Sequence, residues 1–257
     1  MAVEIRLLGT VEVFLDGRRA DLGHARQRCV LAALAVEPNQ PVGFDQLVAR
    51  VWGDRPPRRP RPSLYGYLYR LRQALVDAED VALVRRTGCY ELVVDPDAVD
   101  LRRFEWLVSA ARRAGADAAR LALFDEALAL WRGEAFAGLD TPWLGALRAV
   151  AEQHRSLAEA DRTDAALRLG RGGGELARLT ARSAAHPLDE RVAAQLVLAL
   201  HRAGRTGEAL AHYQRVRRLL VDELGIDPGG ALRAAHREVL RPEGGPLAAD
   251  HRALQDR

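Results

Sequence analysis

Apolar residues along this chain follow two rhythms. Between Val3 and Leu15 they alternate with polar residues around Gly9-Thr10, and Asp16-Gly17 comes next as a turn signal. That pattern predicts a small antiparallel sheet. Three stretches of helical spacing come after it. Residues 25–36 predict a first helix, with Pro38 just past its end. Phe44, Leu47, Val48, Val51 and Trp52 predict a second over about 44–52. Leu64, Leu68, Leu71 and Leu75 predict a third, and Pro60 or Pro62 suits its first turn. Residues 81–94 then hold two apolar β runs flanking a tip at Arg85 to Gly88, a hairpin signal. Sheet, three helices and hairpin together describe a winged helix-turn-helix with an extra N-terminal sheet.

Asp95-Pro96-Asp97 breaks this pattern, and residues 101–240 read as almost wholly helical, rich in alanine and leucine. Leu167, Gly174, Glu175 and Ala177 recur 33 positions later as Leu200, Gly207, Glu208 and Leu210. That is the spacing of a tetratricopeptide-like repeat, whose helix pairs must stack to bury their apolar faces. A partial earlier copy, Phe124 to Trp131, lies out of phase, so an insertion around Phe136 to Leu144 interrupts the array. The predicted fold class is mainly α with small β elements. A winged helix-turn-helix domain over 1–96 precedes a tetratricopeptide-like helical domain over 97–242. Residues 243–257, with Gly244-Gly245-Pro246, are expected to form a mobile tail.

Charge changes the picture at one place. The net charge is only +3, but residues 50–86 carry nine arginines against four acids, a local +5. From Arg55 to Val76 there are six arginines and no acid. Opposite its leucine stripe the third helix presents Ser63, Tyr65, Gly66, Tyr69, Arg70, Arg72 and Gln73. A solvated helix face usually mixes both signs, so this one points to a polyanion and reads as a DNA recognition helix with its lead-in loop. The bland alternative is an exposed basic helix. The chain has no lysine, so every basic contact is a planar guanidinium able to make bidentate bonds.

Other chemistries find little support. The seven histidines and two cysteines fall in no metal-ligand spacing, so no metal and no cofactor are expected. Gly170 to Gly174 lacks the lysine and hydroxyl of a phosphate loop and reads as a turn between helices. Trp52, Trp106, Trp131 and Trp143 read as packing residues, and Cys29 as a small buried one. No catalytic constellation appears, and an enzyme is not expected. Neither a signal peptide nor an apolar run long enough to span a membrane is found, so a cytoplasmic, nucleoid-associated protein is expected.

Several short motifs follow one another in a set order along the chain. They are Arg26-Gln27-Arg28, Val51-Trp52-Gly53-Asp54 and Tyr67-Leu68-Tyr69-Arg70-Leu71-Arg72, then Val99-Asp100-Leu101-Arg102-Arg103-Phe104. Ala129 to Gly133, His186 to Arg191 and Glu223 to Gly229 complete the set. With these motifs the chain resembles the Streptomyces antibiotic regulatory protein (SARP) family, transcriptional activators that join an OmpR-type winged helix to a bacterial transcriptional activation domain.

The resemblance implies that helix three lies in the major groove. Arg70 would read a guanine and Arg72 would hold a phosphate, while Tyr65 and Gly66 lie on the base-edge side. It implies that Arg85, Arg86 and Thr87 of the wing reach the minor groove or backbone, with Arg61 nearby. Arg26 and Arg28 would touch phosphates or form structural salt bridges instead. It further implies two copies on promoter direct repeats in double-stranded DNA. RNA polymerase holoenzyme would be met by the arginine-proline loop through Arg55, Arg58 and Arg59. Pro60, Pro62 and Cys89 depart from the family pattern, and Gly88 would then take over the permissive backbone role beside the wing tyrosine Tyr90. The rival reading is a protein-interaction adaptor whose repeats do the work without direct DNA readout.

Overall fold

The computed structural model describes residues 3–241, so the expected tail lies outside the described residues. Contacts group the described residues into two compact units, divided between Ala165 and Ala166.

In the first unit, β1 (Val3–Arg6), β2 (Glu12–Leu15) and β3 (Arg18–Arg19) form an antiparallel sheet with Val3 opposite Leu15. The helices α1 (Ala25–Ala35), α2 (Phe44–Trp52) and α3 (Pro60–Ala74) stand at the places the apolar spacing predicts. Pro60 stands in the first turn of α3, where its missing N–H has no helical partner to lose. Leu64, Leu68 and Leu71 of α3 are buried against α1, whose residues 29–35 are almost wholly enclosed. The second sheet has the order β4-β6-β5, with β4 (Val42–Gly43), β5 (Val81–Arg86) and β6 (Cys89–Val94). The wing is tighter than its apolar runs suggest. Arg86 pairs with Cys89, so Arg85 and Arg86 belong to β5 and only Thr87-Gly88 turn. Gly88 takes φ +74°, a conformation that costs glycine nothing, and so supplies the turn's left-handed residue.

The N-terminal sheet is stitched to the segments on the C-terminal side of the wing. Asp100 opens α4 (Asp100–Arg113) and is 3% exposed. Its carboxylate accepts from Leu7 N–H at 2.7 Å and Leu8 N–H at 3.1 Å, and Arg132 donates to it as well. Burial pushes this carboxyl up, while those donors pull it back down. The segment after α5 (Asp117–Ala129) completes the seam: Arg132 N–H donates to Leu8 O, Phe136 N–H to Leu7 O and Ala137 N–H to Gly9 O. The residues expected as an insertion in the repeats thus bond, through Phe136 and Ala137, to the connection between β1 and β2. α6 (Pro142–Arg168) comes next.

One expected packing residue is not buried. Trp106 is 57% exposed, because Leu101, Phe104, Leu107 and Val108 fill the inward side of α4 and position 106 falls opposite them. Trp52 and Trp131 are buried as expected, and Trp143 is half-buried.

The second unit packs α7 (Leu176–Ala185), α8 (Glu190–Arg202), α9 (Thr206–Leu224) and α10 (Gly230–Leu240) around the apolar α8, which Asp189 caps through Arg191 N–H and Val192 N–H. His186 ends α7 ahead of Pro187, and the expected turn at 170–174 is a turn ending at Gly170 followed by a short 3-10 helix, Gly172–Glu175, that leads into α7. Inside this unit His212 is 4% exposed. Arg215 Nη2 donates to its Nδ1 at 2.8 Å, and its Nε2 lies 3.4 Å from Ser183 Oγ. A ring that accepts at Nδ1 is neutral, and burial with the Arg215 charge lowers its pKa to about 4. The unfolded histidine titrates near 6.5. As pH falls below that value the unfolded chain takes up a proton that the folded chain refuses. Stability present above pH 6.5 is therefore lost progressively down to about pH 4, by about 3 kcal/mol. Urea unfolding at pH 7 and pH 4.5 should show the loss in the wild-type chain and less of it in His212→Gln.

Candidate nucleic-acid interface

The expected recognition face is assembled from α3 and the wing. Tyr69 is 61% exposed and Tyr65 39%. Arg61, Arg70, Arg72 and Gln73 are exposed too, while Ser63 and Gly66 are half-buried. A Cβ at Gly66 would meet nothing within 4 Å, so the backbone there is open to close approach. Asp77, Glu79 and Asp80 all lie beyond the helix, which leaves its exposed face free of acids.

The arginines are held in different ways. Arg70 Nη1 lies 3.4 Å from Oε1 of the buried Gln27, a long and weak contact that leaves the guanidinium available. Arg72 is tied to the wing, since its Nε and Nη2 both donate to Leu83 O at 3.1 and 2.8 Å. Arg86 pairs with Glu91 at 2.6 Å. Arg85 lies over the Tyr65 ring and Arg61 over the Phe44 ring. Arg85, Arg86 and Thr87 are all exposed on the wing. At the start of α1, Arg26 Nη1 donates to Val51 O at 2.6 Å, a structural bond to a carbonyl rather than to an acid. Arg28 is half-buried and lines a cleft with Val11, Arg19 and Leu22.

The lead-in loop exposes Arg55, Arg58 and Arg59. It leaves α2 at Gly53, where φ is +58° and an added Cβ would sit 3.2 Å from Pro142. One turn earlier Arg50 is 7% exposed. Its guanidinium donates to Ala33 O, pairs with Glu37 and lies 4.6 Å from the Trp143 ring. The start of the loop is therefore braced on the first residues of α6. The sequence reading does not place three supports of this face: Gln27 beneath Arg70, Phe44 beneath Arg61, and the Trp52–Tyr67 stack at 6.0 Å. A glutamine inside an apolar helix and an aromatic run across α2 and α3 are the signals that could have found them.

Residues 99–240 match the family described as bacterial transcriptional activator domain. The chain is 33% identical over 258 residues to the transcriptional regulatory protein EmbR of Mycobacterium tuberculosis, covering 96% of this chain and 65% of that protein. It is 36% identical to the regulatory protein AfsR of Streptomyces coelicolor, covering 94% of this chain and 24% of that protein. It is 32% identical to the regulatory protein DnrI of Streptomyces peucetius, covering 95% and 94%. A solved structure of Mycobacterium tuberculosis EmbR in complex with a low affinity phosphopeptide superposes with a TM-score of 0.85 at 31% identity, covering 93% of this chain and 65% of that one. The chain thus spans just under two thirds of the EmbR length. No helix among the described residues is long and apolar enough to cross a membrane.

Proposed function

Because the chain belongs to the SARP family of transcriptional activators, we propose that it binds promoter DNA in a sequence-specific way and activates secondary-metabolite genes. The observation that carries this reading is the acid-free face of α3, with Arg70 and Tyr69 exposed beside a basic wing. A helix of this kind fits the major groove, where an arginine can take both acceptors of a guanine. An adaptor that worked through its repeats alone would have no use for such a face.

In this reading residues 1–96 form the DNA-binding domain and residues 97–242 the activation domain, which supports pairing on DNA and contact with polymerase. Two copies sit head to tail on direct repeats. Arg55, Arg58 and Arg59 of the lead-in loop meet RNA polymerase or the flanking phosphates. The protein performs no chemistry of its own and works inside the cytoplasm.

Equilibrium binding of two variants tests the division of labour on α3. Arg70→Ala should lose roughly 1–3 kcal/mol on its promoter site and relax preference at one base pair. Arg72 retains Nη1 for a phosphate while Leu83 holds its other nitrogens. Arg72→Ala should therefore weaken all duplexes alike and lower the salt slope by about one. Two variants with the same sequence-independent loss would sink this assignment.

A further inference from the structure

A row of side chains joins α2, α3 and the wing. Phe44 opens α2. The Arg61 guanidinium lies 4.8 Å from the centroid of its ring. The Tyr65 ring lies 5.6 Å from the Phe44 ring, inclined by 55°. The Arg85 guanidinium of β5 lies 5.6 Å from the Tyr65 ring. Both cations fall within the distance at which a guanidinium is attracted to an aromatic face. All four side chains line one cleft of about 340 Å³.

We propose that Phe44 is a positioning residue of the DNA interface: with Tyr65 it holds Arg61 and Arg85 at the two ends of one aromatic row, aligned for phosphates of the same groove edge. The inference rests on the DNA reading above and adds a residue to it that makes no DNA contact of its own.

One observation and two physical arguments carry it. First, among the described residues neither Arg61 nor Arg85 has a carboxylate partner, whereas their neighbour Arg86 is taken by Glu91. Asp45, on the same cleft, is exposed and pairs with neither. Second, a guanidinium lying on a ring face keeps its N–H donors in its own plane, free at the edge for phosphate oxygens. Third, an exposed arginine loses much rotamer freedom when it grips a phosphate. A ring beneath it removes part of that freedom before DNA arrives. The row also spans three elements, so it fixes the angle between the wing and the recognition helix.

The test is a salt titration of binding between the full chain and a promoter duplex, run for wild type, Phe44→Leu and Phe44→Tyr, with thermal melts alongside. Phe44→Leu keeps an apolar side chain on α2 but has no ring. It should bind about fivefold or more weakly near 0.1 M salt. Its plot of log affinity against log salt should be shallower by about one, the equivalent of one phosphate contact. Phe44→Tyr should restore both. Should Phe44→Leu melt early, Phe44→Met fills the same space with a flexible chain and should give the same binding result. A second arm is the cycle with Arg61→Gln, whose cost should shrink in the Phe44→Leu background. Binding within twofold of wild type at an unchanged slope, or full additivity in the cycle, would overturn the proposal. A wild-type chain with no salt-dependent binding at all would instead remove the DNA reading on which it rests.

Discussion

Asp100→Ala should lower the stability of the first unit by about 3 kcal/mol. The carboxylate is 3% exposed and satisfies Leu7 N–H, Leu8 N–H and the Arg132 guanidinium at once. Alanine would orphan both buried amides, each at about 1–3 kcal/mol. It would also strand Arg132, whose side chain is 31% exposed and so keeps some solvation. The arginine therefore adds less than a fully enclosed partner would. In a unit of this size the loss corresponds to a fall in Tm of roughly 6–12 °C. Asp100→Asn, which keeps one acceptor oxygen, should fall between the two. Urea and thermal unfolding of the full chain measure the effect. A loss under about 1 kcal/mol would mean that the backbone seam from Leu7 to Ala137 holds the sheet without the carboxylate.

A second large effect is expected on DNA. In the proposed arrangement, head-to-tail copies use different surfaces of each protomer, and both recognition helices must enter the same face of the duplex. Half-sites then lie about 10–10.5 base pairs apart, or a multiple of that. Inserting about five base pairs between them turns one copy to the opposite face. Cooperative binding of the purified protein should disappear, and a full-turn insertion should bring much of it back. Gel-shift titrations on the three duplexes give the comparison. Equal binding at all spacings, or a preference for inverted repeats, would count against this geometry.

The parts of the fold that a single stretch of chain specifies are legible in the sequence. Leu64, Leu68 and Leu71 recur at helical spacing and are buried, so α3 and its exposed face can be read from period alone. The same holds for α2, which runs from Phe44 to Trp52 as its apolar residues predict. Features that depend on partners far along the chain are not legible. Asp100 reaches Leu7 across 93 positions, and nothing in its own motif announces a buried carboxylate. Spacing puts Arg72 on the outward face of its helix, yet its guanidinium bonds to Leu83 on the wing. Residue type assigns Trp106 to packing, although the helical phase set by Leu101, Phe104 and Val108 already turns it outward. Within the candidate site, the arginines are visible as a charge pattern. The aromatic row that spaces Arg61 from Arg85 is not, because α2, α3 and the wing meet only in three dimensions.

The measurement that bears most directly on the central claim is a footprint of the purified chain on the DNA flanking its own gene. Repeating it with Arg70→Ala shows whether α3 makes the contact. The account predicts two protected patches in direct repeat, one helical turn or a multiple apart on one face of the duplex, and both should fade in the Arg70→Ala footprint at equal protein concentration. No protection at any salt concentration that keeps the protein folded, or protection that Arg70→Ala leaves unchanged, would contradict it.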